Sequence, residues 1–430
     1  MSGELLSPRQ ASRQLVSALL RPGPAHWSFL SQIIASFSTL LTSILLVRTI
    51  GLEAFGQYTV YFIFLVIGKN VISGTVLTPL SNTLARIHAY NLPFYRCFSL
   101  AYLLFVSAIV CVATTIAFFA LSPIFGWITQ SLLPFLGLFL FNALADYFKR
   151  FYLATARPAI SFLVELIRYG SQLACLVVAG ALLSDSLTVQ QVLGLLTVAN
   201  VLACAAGFAF LGRLRWRKRF ALAALPSHAN FLLWMTPTVF LEAIQGQAPL
   251  IVGGAILGEA SLGLVNAILS VTNALLLPVL AIQQVLPSAA KAAFRRGGEK
   301  ELSRTVDRYI YFCLFISVAT SILLLLLSDI LFRHVLHITG DLLVLVIFMF
   351  RNFVMIIRAR FTAFYSAIEQ PKLIVFNGIV GASLAVILSP ILILLLKEPG
   401  IALSTLLVGV GVLLQSLRTW QRVKPTDSRE

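Results

Sequence analysis

Three cations and one isolated acid stand where apolar sequence would otherwise run unbroken. Lys69 interrupts FLVIGKNVIS (64–73), Arg168 sits in ELIRYGSQ (165–172) and Arg351 in FMFRNFV (348–354). A charge at mid-membrane costs roughly 2.5–3.5 kcal/mol on insertion scales, so it turns to a bundle interior or a wet cavity. Arginine offers a planar fork that matches phosphate, and lysine a compact point charge. Lys69, Arg168 and Arg351 are therefore expected to meet an anionic substrate, with Asn70 and Gln172 supplying further polar contacts to it. The structural alternatives are ion pairs. Glu165 lies three residues before Arg168 on one helix face and can pair with it. Lys69 and Arg351 have no acid within a turn of their own segments, so they would need one from another helix. Asp146 is expected at the end of its helix.

The acid is Glu242, in TPTVFLEAIQGQ (236–247) with Gln245 and Gln247 beside it. A carboxylate among apolar neighbours can bind and release an ion, so Glu242 and Gln245 are the candidates for H+ or Na+ coupling; the alternative is a hydrogen bond between helices. Pro237 is placed to bend this helix. No other chemistry is suggested. The five cysteines (Cys97, Cys111, Cys175, Cys204 and Cys313) lack metal-ligand spacing. His334 and His337 read as an interfacial pair, not a metal site. No P-loop is present, so direct use of ATP is not expected, and no catalytic constellation or cofactor motif stands out.

The elements that must position these residues follow from composition. Of 430 residues, 59% are hydrophobic and 11% charged, with a mean hydropathy of +0.93, where a soluble domain carries about 25% charged residues. Windows of about 20 apolar residues give twelve spans, near 28–47, 57–80, 98–121, 125–147, 159–182, 190–211, 229–257, 261–289, 309–330, 341–363, 373–396 and 401–418. Pro123, Gly126 and Pro134 blur the start of the fourth. The first 25 residues show no apolar core and cleavage site, so no cleaved signal peptide is expected. Placing both termini in the cytoplasm puts 26 lysines and arginines inside and only Arg48, Arg333 and Lys397 outside, which fixes the orientation. The net charge of +16 is then a topology signal and implies no nucleic-acid partner.

An internal repeat divides the chain. In LVRTIGLEAFGQYTVY (46–61) and GGAILGEASLGLVNAI (253–268) the pairs Gly51/Gly56 and Gly258/Gly263 have the same spacing. Pro79 and Pro287 follow at matching distances, and Pro158 and Pro371 open the fifth and eleventh spans. The expected fold is an all-α polytopic membrane protein: two parallel, pseudo-symmetric six-helix bundles, 1–211 and 229–430, around a central cavity and joined by a basic linker, 212–228. Parallel repeats of this kind rock about a central site.

RTIGLEAFGQY, EAIQGQAPLIVGGAILGEASLGLVNAI, LLPVLAIQQVLPSAAKA and KEPGIALSTLL together resemble the corresponding regions of Wzx-type polysaccharide flippases, in the multidrug/oligosaccharidyl-lipid/polysaccharide exporter superfamily. The likeness is scattered over residues 28–419. It departs at Gln247, where the family often has an acid, and at Asn266, where an aromatic is usual. The resemblance implies transport of an undecaprenyl-pyrophosphate-linked oligosaccharide from the cytoplasmic to the outer leaflet of a bacterial inner membrane. Membrane lipids and the polymerase and assembly proteins of polysaccharide biosynthesis would be its partners. Two other classes compete. A multidrug or small-molecule antiporter of the same superfamily would favour acids in its cavity. A membrane-embedded glycan ligase or transferase would carry a large outer loop or paired His/Asp residues. A sugar carrier of the major facilitator type would show Gly-Asp-Arg, which SNTLARIHAYN (81–91) lacks.

Overall fold

Backbone polar groups cannot go unpaired in hydrocarbon, and apolar runs of this length satisfy them internally as helices. The computed structural model describes residues 24–84, 87–182, 187–274, 277–338, 340–368 and 371–423, and among these its regular structure is all helical, without strands. The first lobe contains α1 (Pro24–Ile72), a wide π-helical turn (Ser73–Leu77), α2 (Thr78–Leu84), α3 (Leu92–Leu121), α4 (Leu132–Ala154), α5 (Pro158–Leu182) and α6 (Val189–Ala209). The second contains α7 (Lys218–Leu257), α8 (Glu259–Ala274), α9 (Leu277–Asp329), which continues through another wide turn (Ile330–Leu336), then α10 (Leu342–Ala367), α11 (Pro371–Leu396) and α12 (Glu398–Val423). Arg9, Arg13, Arg21, Arg86, Lys424 and Arg429, used above for orientation, lie outside the described residues.

Ten stretches among the described residues are long and apolar enough to cross a membrane. The first, Leu30–Leu84, holds 55 residues and breaks at Gly51, so it supplies two crossings. The expected span 261–289 is divided between α8 and the start of α9, and α9 itself breaks at Gly297 and Gly298 before the ninth crossing. The twelve-span frame follows. Two boundaries differ from expectation. Residues 122–131 form turns and α4 begins at Leu132, with Pro134 in its first turn, where a missing N–H costs nothing. Asp146 therefore lies well inside a helix and not at its end. The expected linker is also shorter, because residues 218–228 are already helical.

Within the first lobe α1 packs on α5, α4 on α5 and α6, and α5 on α6; within the second, α7 packs on α11, α11 on α12, and α10 on α9 and α12. The lobes meet where the sequence repeats. Gly51 (φ 77°, ψ 173°) and Gly258 (φ 88°, ψ 175°) share one conformation that disfavours any side chain. A Cβ on Gly56 would fall 1.9 Å from the Glu259 carbonyl oxygen, and one on Gly263 would fall 2.1 Å from that of Leu52. Each second glycine thus lies on the residue that follows the other lobe's first glycine. That reciprocity is what a pseudo-twofold axis demands, and the small residues let the backbones touch.

Polar contacts extend the seal. Gln57 Nε2 donates to Glu259 Oε2 at 2.7 Å, and Trp127 Nε1 donates to the other oxygen of that carboxylate. Asn266 Nδ2 donates to Thr59 Oγ1 (2.9 Å) and Ser43 Oγ meets Ser270 Oγ (3.3 Å). Arg48 Nε donates to the Val335 carbonyl at 2.6 Å. At the other, basic end the lobes touch through a buried aromatic box. His228 of α7 sits among Tyr95, Phe98 and Tyr102 of α3, its Nε2 3.1 Å from Tyr95 Oη.

Candidate functional site

The structure divides the expected cationic residues into two separate clusters. In the first lobe, Asp146 of α4 receives both neighbouring cations. Lys69 Nζ of α1 lies 3.3 Å from its Oδ2, and Arg168 Nη1 of α5 donates to its Oδ1 at 2.7 Å. The alternative partner for Arg168, Glu165, is not the one it takes; Glu165 instead accepts from Lys149 of α4. A residue three positions away on one helix is a weaker partner than one facing it across a helix interface, where geometry and desolvation act together. Gln172 is likewise occupied, donating to Thr42 Oγ1 of α1 at 2.7 Å. Lys69 is therefore not an unpaired lumenal cation. It belongs to a buried three-helix clamp in which Arg168 is 5% and Asp146 19% exposed, with Lys69 at 33% on its open side.

The second cluster lines an inter-lobe cavity of about 460 Å³. Asn70 reaches it from the first lobe, and Glu242, Gln245, Arg351, Arg358 and Thr362 from the second. Lys69, Arg168 and Gln172 do not line it. Arg351 Nη1 lies 3.3 Å from Asn352 Oδ1 and 3.5 Å from Asn273 Oδ1. No carboxylate pairs with Arg351 among the described residues. Arg358 follows seven residues later, two turns on and about 10 Å farther along the same face of α10. The Gln245 amide, oriented with its oxygen toward Arg358, accepts from Nη1 at 2.6 Å and Nη2 at 3.2 Å. Glu242 is solvent-exposed on the cavity wall, and no ion pair joins it to Arg358.

A smaller pocket of about 30 Å³ adjoins Glu242, Gln245 and Arg358 within the second lobe, room enough for water. Tyr365 Oη donates to the Ser416 carbonyl (2.7 Å) and Asn377 Nδ2 to Ser416 Oγ (2.9 Å) in its wall, while Asn377 Oδ1 is buried without a hydrogen-bond partner. Glu242 and Gln245 thus face both a large cavity and a small polar recess. The cavity wall as a whole holds two guanidiniums against one carboxylate, which favours negative charge within it.

Arg358 is the residue that sequence reasoning missed. Counted with Arg360 among the 26 cytoplasmic cations, it lies within the membrane-length stretch Leu342–Tyr365. Arg360, one residue pair away, points elsewhere and donates to Asp307 Oδ2 at 3.0 Å. The signal that could have found Arg358 is its heptad spacing from Arg351. His334 and His337 sit at the sealed end, where the His334 carbonyl accepts from Arg48.

No protein-family model matches the chain, and no curated protein matches it in sequence. Solved structures do match over nearly its whole length. One is an inward-facing multidrug resistance MATE family transporter of the MOP superfamily, with a TM-score of 0.68 and 11% identity over 95% of this chain and 98% of that one. A second is a MOP superfamily transporter from Pyrococcus furiosus described by the reverse polarity of its binding pocket; its TM-score is 0.64, with 14% identity over 95% of this chain and 98% of that one. A third is the lipid II flippase MurJ in an inward closed conformation, with a TM-score of 0.63 and 12% identity over 93% of this chain and 87% of that one. At such identities the likeness establishes the fold, that of the MOP-type transporters, and leaves the cargo to be argued from the cavity.

Proposed function

We propose that this chain is an alternating-access exporter that carries a lipid-linked oligosaccharide with an anionic, diphosphate-bearing head from the cytoplasmic to the outer leaflet of a bacterial inner membrane. The observation that carries this reading is Arg351, a guanidinium on the wall of the inter-lobe cavity without a carboxylate partner, with Arg358 two turns along the same face. Two arginines on one helix face, their backbones about 10 Å apart along the axis, suit an extended anionic head. Asn70 supplies a polar contact from the opposite lobe. Lys69 and Arg168 are assigned to holding α1, α4 and α5 together, and Glu242 with Gln245 to ion coupling, H+ or Na+. The reciprocal glycine seal closes one end of the lobe interface, as one limiting state of a rocking cycle requires.

The test is flipping of a fluorescent polyprenyl-diphosphate oligosaccharide in vesicles containing the purified protein. The double variant Arg351→Gln/Arg358→Gln is expected to lower the rate at least about tenfold, the loss of one charge-assisted contact or more. An unchanged rate in correctly inserted variant protein would overturn the reading. A second reading, a multidrug antiporter, is favoured by one observation: the exposed carboxylate of Glu242 in the same cavity. Its signature would be efflux of a cationic dye that Glu242→Gln abolishes and the arginine variants leave intact.

A further inference from the structure

The connector between the lobes carries chemistry that transport does not use. RLRWRKR (213–219) packs five cations into seven residues, and the sequence holds no acid from Val189 to Leu241. Arg213 to Arg219 are all exposed, and among the described residues none of the five cations pairs with a carboxylate. Leu214 and Trp216, between them, are 42% and 59% exposed. Residues 213–217 belong to no helix, Arg217 at their end is extended (φ −141°, ψ 108°), and the arginines alternate along the sequence with Leu214 and Trp216.

Position and backbone geometry narrow what this ribbon meets. α6 runs 21 residues from Val189 to Ala209, about 31 Å, which just crosses the hydrocarbon. The ribbon starts a few residues later and so lies at headgroup depth. It is tethered to the start of α3: Arg215 N donates to the Pro93 carbonyl at 3.2 Å, and the Arg217 guanidinium lies over the Phe94 ring at 5.9 Å. Gly212, at φ 78°, makes the turn into it. The ribbon then feeds the N-terminus of α7, where Arg217 caps without a side-chain hydrogen bond and Lys218 and Arg219 occupy the first turn. Free N–H groups and the positive end of a helix dipole already favour an anion, and cations placed there are unfavourable unless one is supplied from outside.

We propose that the connector, residues 212–219, is a binding surface for the anionic phospholipid headgroups of the leaflet beside it, with Trp216 seated at the headgroup–acyl boundary. Arginines and the open turn of α7 engage phosphate, while Trp216 and Leu214 rest where amphipathic rings and apolar side chains are favoured. The inference is independent of the cargo, because no connector residue lines the inter-lobe cavity.

The test places the full-length protein in nanodiscs containing a small, equal mole fraction of dibrominated phosphatidylglycerol or dibrominated phosphatidylcholine. Subtracting the emission of Trp216→Phe isolates Trp216 from the other four tryptophans. The brominated anionic lipid is expected to quench Trp216 about threefold more than its zwitterionic counterpart. That preference should fall to parity in Arg213→Gln/Arg215→Gln/Arg217→Gln and at high salt. Equal quenching by the two lipids would show a tryptophan near the bilayer without headgroup selection, and no quenching would put it in water or against protein. Either result overturns the proposal.

Discussion

Replacing Asp146 with Asn removes the one carboxylate that two cations share. Arg168 donates to it at 2.7 Å and is 5% exposed, so the variant leaves a guanidinium desolvated and without its counter-charge. Breaking a buried pair in this way costs about 3–5 kcal/mol. Lys69, at 3.3 Å and a third exposed, adds less than about 1 kcal/mol because solvent screens it. The expected loss is therefore about 3–5 kcal/mol, carried by Arg168. Unfolding by SDS titration in mixed micelles reads it directly. In Asp146→Asn/Arg168→Met the orphaned charge is gone, so about 2 kcal/mol or more of that loss should return, and the double-mutant cycle should show the same coupling. A single-variant loss below about 1 kcal/mol, or no coupling with Arg168, would mean that the clamp does not hold the first lobe together and that Lys69 and Arg168 are free for another role.

Gly56→Val puts a branched side chain where a Cβ already falls 1.9 Å from a backbone oxygen, so it should hold the sealed end apart. In a cysteine-free background, Thr59→Cys/Asn266→Cys, whose parent side chains meet at 2.9 Å, should cross-link readily, and adding Gly56→Val should abolish this; cross-linking that persists refutes the glycine seal. His228 lies on the part of α7 that precedes the span Thr236–Leu257, and burial among the aromatics lowers its pKa from 6.5 to about 4. The unfolded chain then binds the proton more readily, so stability is complete above about pH 6.5 and falls as pH drops toward 4. Between pH 7 and pH 5 the loss should be about 2 kcal/mol, absent from His228→Gln; an identical pH dependence in the variant contradicts this.

Much of the architecture was legible because its causes are local. Apolar runs of bilayer length declare helices, and the paired glycines declare the repeat; the structure shows why they recur, since Gly56 and Gly263 each accept the other lobe's backbone. What was not legible depends on contacts between distant segments. Asp146 could be placed at a helix end only because the start of α4 was hidden by Pro123 and Pro134, and with it the clamp on Lys69 and Arg168 was missed. Glu165 was weighed only against Arg168 because a single sequence displays i,i+3 neighbours and not Lys149 across the interface. Arg358 was read as a topological charge although it sits two turns from Arg351. The cations on the cavity wall are Arg351 and Arg358, of which only Arg351 was among those first chosen.

Equilibrium binding of a short-chain polyprenyl-diphosphate sugar, measured against a lipophilic cation of similar size, tests the assignment of Arg351 and Arg358 most directly. The account predicts that the diphosphate binds more tightly to the unaltered protein and that Arg351→Gln/Arg358→Gln weakens it by about 100-fold or more while leaving the cation unaffected. Tighter binding of the cation, with diphosphate affinity indifferent to both arginines, would contradict it.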